Sequence, residues 1–218
     1  MNSIFGLAAA SALVLAASLG AAEAQCSAIP GGPIFTVDVG QPGTAYRAAT
    51  SDMLLTQAHA NAASLGSGRG VLGLTVNRYD FGLRVAVDSI PTATGFCTRL
   101  RAVTVAVAAN PEVLYDGRYA PATCQRGAIL DHENEHVAVF RDAISAAAPV
   151  IDAALRGAAL PPSLAARTPA AAEEAYAGAI RAAVEPVLDA VRSRAQAANA
   201  QIDTPAHYAE VFRRCNSW

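Results

Sequence analysis

The sequence contains no lysine. All 16 of its basic residues are arginines, set against 18 acidic residues, and the formal net charge is -2. The bias reads as the codon usage of a GC-rich genome rather than as chemistry. No arginine block occurs, and basic residues do not interleave with aromatics, so nucleic acid is excluded as a partner. The four cysteines, Cys26, Cys97, Cys124 and Cys215, show no Cys-x-x-Cys spacing, which excludes a cysteine zinc site. Beyond the N-terminal segment no apolar run is long enough to span a bilayer. Histidine is also scarce, with four in 218 residues.

The N-terminus carries an apolar run, Ile4 to Leu19, followed by Ala22-Glu23-Ala24, a small-x-small cleavage pattern. We expect a signal peptide over 1–24, export to the periplasm or the medium, and a single domain over 25–218. That is about 190 residues, enough for one core. In an exported chain four cysteines predict two disulfides. Cys124–Cys215 with Cys26–Cys97 is the favoured pairing, because the first would tie the segment before residue 132 to the C-terminus.

Strand signals come first and helix signals afterwards, which predicts an α+β fold. Strands are expected at 34–39, 71–76, 83–87 and 100–107, with a short one near 113–115 after an Asn110-Pro111 turn. A helix is expected over 51–64, capped by Ser51. After Cys124 a helix runs to Ala147 and restarts after Pro149. A second long helix opens at Thr168-Pro169 and reaches Ala200, with a kink near Pro186. Thr204-Pro205 opens a last short helix through Arg214.

Within the first long helix lies His132-Glu133-Asn134-Glu135-His136, a match to H-E-x-x-H. Residues four apart on a helix share a face, so both imidazoles can reach one ion, and the adjacent Glu can take a proton from a metal-bound water. At about 100° per residue, Asp131, Asn134, Glu135, Ala138, Arg141 and Asp142 form one solvated arc. Ile129, Leu130, Val137, Val139, Phe140, Ala143 and Ile144 fill the opposite arc, and His132, Glu133 and His136 fall inside it. Ionisable side chains facing a core need partners, and a Zn2+ ion with its water would supply them.

A catalytic zinc wants a third protein ligand. His207, on the first turn of the last helix, is the first candidate, because a Cys124–Cys215 bridge would hold it near the motif. Glu173, near the apolar face of the second long helix, is the alternative. His59 has small, polar neighbours and reads as solvated. Tyr208 and Arg214 carry donors suited to an oxyanion, although an aromatic packing role and a surface position explain them better. Asp142 points to the polar arc and is a poor ligand.

The segment Ala128-Ile129-Leu130-Asp131-His132-Glu133-Asn134-Glu135-His136-Val137 resembles the motif helix of uncharacterised exported bacterial proteins grouped as zinc proteases. Asp203, Thr204 and His207 look similar to their late Asp, Thr and His, with a different spacing. The resemblance implies a zincin-like fold: a mostly antiparallel N-terminal sheet with a helix, then the motif helix and C-terminal helices. It places His132 and His136 on zinc and Glu133 as general base. The metzincin continuation is absent. The function expected is zinc-dependent hydrolysis of a peptide or protein, with a cell-wall peptide among the substrates the compartment permits. The alternative is a non-catalytic exported zinc-binding protein whose helices over 143–200 present a partner surface.

Overall fold

The computed structural model describes residues 31–60 and 71–218. The expected signal segment, Cys26 and the expected end of the first helix at 61–64 lie outside the described residues. The fold is α+β. Its strands are β1 (Ile34–Gly40), β2 (Ala45–Ala49), β3 (Gly73–Thr92), β4 (Gly95–Asp116) and β5 (Leu164–Ala166). Its helices are α1 (Ser51–Ala60), α2 (Cys124–Gly157), α3 (Pro169–Ile202) and α4 (Pro205–Arg213). Among the described residues no helix is long and apolar enough to cross a membrane.

β4 organises the sheet, since β1, β2, β3 and β5 all pair with it. Two expected strands merge into β3, and two more merge into β4. The ladder overrides local propensity here. The polar stretch of β3 is stitched to its neighbour: Asn110 donates to Asp80 at 2.8 Å, and Arg78 pairs with Asp80 at 3.0 Å. Pro111 does not turn the chain. It sits just before the first β2 pair, Ala45↔Glu112, where its missing N–H removes no bond from that ladder. β2 runs parallel to β4, whereas β5 runs antiparallel to it.

The chain forms two compact units, each built from separated segments. One takes in residues 31–36 of the N-terminal stretch, Leu83–Val105 and Ala154–Val184. Val103, Val105, Leu155, Tyr176, Ile180 and Val184 form its core. Gly95 turns the β3–β4 hairpin at φ +152°, and a Cβ there would lie 2.5 Å from the Ala166 carbonyl oxygen. Only glycine fits that approach.

The other unit takes in Val37–Gly82, Ala106–Ala153 and Glu185–Trp218. In it Leu54 and Ala58 of α1 pack with Leu74 of β3 and Leu114 of β4. The expected bridge Cys124–Cys215 is present, with Cα atoms 5.8 Å apart. It closes a 91-residue separation, and loop-closure entropy of that length contributes about 4–5 kcal/mol. Ala128, Val211 and Cys215 pack beside it, with Trp218 against them. The C-terminal helix is thereby fastened to the start of α2.

Asp116 closes β4 as a buried anion. Its carboxylate accepts from Ser51 Oγ at 2.9 Å, from the Arg118 backbone N–H at 3.0 Å and from Arg118 Nε at 2.9 Å. Burial alone would raise its pKa, but these donors outweigh burial and hold it below the ordinary carboxylate value. A depressed folded pKa stabilises fully above the unfolded value of about 3.9, and the benefit disappears as pH falls through the folded value. Asp116→Asn should therefore lower stability by about 1–3 kcal/mol at neutral pH. Thermal melts should show the difference from wild type shrinking as the pH drops below about 4.

Candidate metal centre

α2 presents its motif residues on a buried face. His132, Glu133 and His136 are 4%, 3% and 7% exposed, and they are three of the four buried ionisable side chains among the described residues. Asp131, Asn134, Ala138 and Asp142 are exposed, as the helical wheel expects. Glu135 and Arg141 are half-buried. The charge inside the motif therefore avoids the core, while the histidines enter it.

The partner of both imidazoles is Asp203. Its Oδ1 lies 3.5 Å from His132 Nε2 and 3.3 Å from His136 Nε2. The three side chains form a group able to hold a metal ion, with their ligand atoms all within 4.8 Å of one another. A tetrahedral ion with bonds of about 2.0–2.1 Å separates its ligand atoms by about 3.3–3.4 Å. The two nitrogen–oxygen separations match that edge.

The chain positions Asp203 by a break between helices. Its N–H still donates to Asn199 at 3.1 Å, completing the last turn of α3. Thr204 is extended at φ -99°, ψ 151°, because the following Pro205 disfavours helix there. Thr204 then caps α4 by accepting from the His207 N–H at 3.2 Å. A carboxylate at the end of α3 opposes that helix's dipole, so this position works against helix stability and in favour of the cluster.

Supporting contacts fix the imidazoles. Asn199 stands one turn before Asp203, on the same face of α3. Its Oδ1 lies 2.9 Å from His136 Nδ1, so Nδ1 donates to Asn199 while Nε2 faces Asp203 and, without an ion, donates to it. This arrangement orients a metal-binding histidine. Tyr208 donates to Asp203 Oδ1 at 2.7 Å, and its ring lies 5.1 Å from that of His132. His132 Nδ1 is buried without a hydrogen-bond partner among the described residues.

Without an ion the charges compensate one another. Burial would lower the His136 pKa, but Asp203, Glu133 and Asn199 raise it to about 9. Burial would raise the Asp203 pKa, but His132, His136 and Tyr208 hold it far below the usual range. Burial, then the Asp203 carboxylate, pushes the Tyr208 hydroxyl upward and keeps it protonated. Glu133 is raised by its burial, which outweighs the two histidines and Thr75.

β3 cradles Glu133. Thr75 Oγ1 lies 2.8 Å from its Oε2 and 3.0 Å from its backbone oxygen. A Cβ at Gly73 would lie 2.5 Å from Glu133 Oε1 and 2.8 Å from Ile129 Cγ2. Gly73→Ala should therefore displace the carboxylate or the helix and lower stability by about 1–3 kcal/mol. Thermal denaturation measures this, and an unchanged melting temperature would contradict the cradle.

His207, the first-ranked third ligand, lies outside the three-residue group. Its Nε2 faces the half-buried Glu135 at 3.4 Å, and its ring lies 5.1 Å from that of His132. Glu173 is half-buried and belongs to the first compact unit. His59 is exposed at the end of α1. Arg214 pairs with Asp131 at 3.5 Å. Sequence reasoning noted Asp203 only through the resemblance and not as a ligand, and it did not weigh Asn199, Thr75 or Gly73 for the site. The Asn-x-x-x-Asp spacing before a Thr-Pro helix start was the available signal for the first two.

No family model, no curated protein and no solved structure matches this chain.

Proposed function

We propose that the chain is an exported zinc-dependent hydrolase of zincin-like fold, acting on peptide bonds. His132, His136 and Asp203 would hold the metal, and Glu133 would serve as general base. One observation carries this reading: three ligand atoms within 4.8 Å of one another, with one Asp203 oxygen 3.5 and 3.3 Å from the two imidazoles, adjoin a carboxylate buried on the same helix face. Zinc bound by such a set supplies Lewis acidity and lowers the pKa of its water to about 7.

The chain's own groups supply the rest. Glu133, buried on the helix face beside the two imidazoles, would be placed to take a proton from the bound water. Thr75 and Gly73 hold its carboxylate, and Asn199 sets the tautomer of His136. Tyr208 brings an O–H donor to the cluster, placed to support a developing negative charge. The disulfide accords with an oxidising compartment, and hence with the expected export to the periplasm or the medium.

Two histidines and one carboxylate also suit iron(II). The adjacent Glu133 favours hydrolysis, and metal analysis of the purified full chain separates the two. About one zinc per chain, removed by a chelator and restored by zinc salts, is the expected result. Stoichiometric iron in its place would overturn the zinc assignment.

A further inference from the structure

The face of β3 that meets α2 carries a row of side chains that Glu133 explains only in part. Residues two apart on a strand share a face. Leu74 and Val76 pack into the cluster with Leu54 and Leu114, so Gly73, Thr75, Asn77 and Tyr79 form the row on the other side. The first two meet Glu133. The last meets Phe140 edge-on, with ring centroids 6.2 Å apart. Asn77 therefore faces α2 between Glu133 and Phe140, about level with His136.

Both polar atoms of the Asn77 carboxamide are buried, and neither has a hydrogen-bond partner among the described residues. The Tyr79 hydroxyl is in the same position. A buried carboxamide without partners destabilises a fold, and leucine would fill a similar volume without that penalty. A polar group kept against stability marks function more often than packing. Row neighbours stand about 6.5 Å apart. Asn77 makes no direct hydrogen bond to the Thr75–Glu133 pair, and from the neighbouring row position a single water can bridge its carboxamide to that pair.

We propose that Asn77 is a positioning residue that holds a buried water against the Glu133 carboxylate, and that this water, together with Thr75, fixes the carboxylate's orientation. The inference rests on Glu133 acting as the base proposed above.

Asn77→Leu in the full zinc-loaded chain provides the test. It should melt at or above the wild-type temperature and keep its zinc affinity, read by chelator competition. Its kcat should fall about 10–100-fold with KM unchanged, the range typical of supporting contacts. Asn77→Ser leaves room and a hydroxyl for the water and should recover most of the lost rate. A crystal structure of the wild-type chain should show a water within hydrogen-bond reach of both Asn77 and Glu133. Wild-type turnover in Asn77→Leu, or a crystal structure without that water, overturns the proposal. If the wild-type chain hydrolyses no peptide, the hydrolase reading fails by itself, and the crystallographic water still decides the placement of Asn77.

Discussion

Glu133→Gln should retain zinc and lose hydrolysis. The two side chains are nearly the same size, so the amide fits the space beside Gly73 and can still bond Thr75. The substitution removes a buried negative charge whose desolvation is the largest influence on its pKa. The folded state should therefore be as stable as wild type or slightly more so. What disappears is the capacity to accept a proton, and general-base catalysis is worth about 10²–10⁴-fold in rate. Turnover of a broad peptide library, measured beside zinc content by elemental analysis, reads both quantities. His132→Ala supplies the contrast, since it should lose zinc and activity together. Undiminished hydrolysis by Glu133→Gln would sink the general-base role. A wild-type chain that binds zinc tightly and cleaves nothing would favour the non-catalytic binding role instead.

The motif and its orientation were legible in the sequence because they are local. A single helix sets the wheel on which His132, Glu133 and His136 turn inward, and no distant residue is needed to infer their burial. The opening of α4 was legible for the same reason, because Thr204-Pro205 specifies a cap and a first turn within two residues. The Cys124–Cys215 bridge also followed from few options, with four cysteines allowing three pairings.

The contacts that complete the site were harder to read because they come from other elements. Thr75 and Gly73 reach Glu133 from a strand about 58 residues away in sequence, and their pattern is that of any strand residue. The merging of short strands into β3 and β4 was hidden because Pro111 and the polar stretch 77–80 look like punctuation in isolation. Pairing with a neighbour makes them strand. His207 follows first from the Cys124–Cys215 bridge, which holds α4 near the motif helix. The helix break, however, turns the Asp203 carboxylate toward the two imidazoles and leaves His207 to Glu135.

That difference makes Asp203→Ala and His207→Ala the most informative pair of substitutions for the metal. Asp203 places one oxygen at both Nε2 atoms, so its removal leaves two neutral imidazoles to hold a dication alone. Loss of an outer-shell partner costs about 10–100-fold in metal affinity, and loss of a charged ligand should exceed about 100-fold on that scale. Asp203→Ala should therefore leave zinc below stoichiometric after purification and should fail to retain it against a weak chelator. His207→Ala breaks a partly exposed contact with Glu135, whose side chain is 41% exposed, and a ring contact with His132. Exposed pairs of that kind contribute about 0–1 kcal/mol, so zinc content and affinity should stay within about twofold of wild type. Asp203→Asn refines the comparison: the amide keeps the shape and an oxygen donor but loses the charge, and its affinity should fall between wild type and Asp203→Ala. The reverse pattern, zinc retained in Asp203→Ala and lost in His207→Ala, would move the third ligand to His207. It would also require the His207 ring, whose centroid already lies 5.1 Å from that of His132, to leave Glu135 when the ion binds.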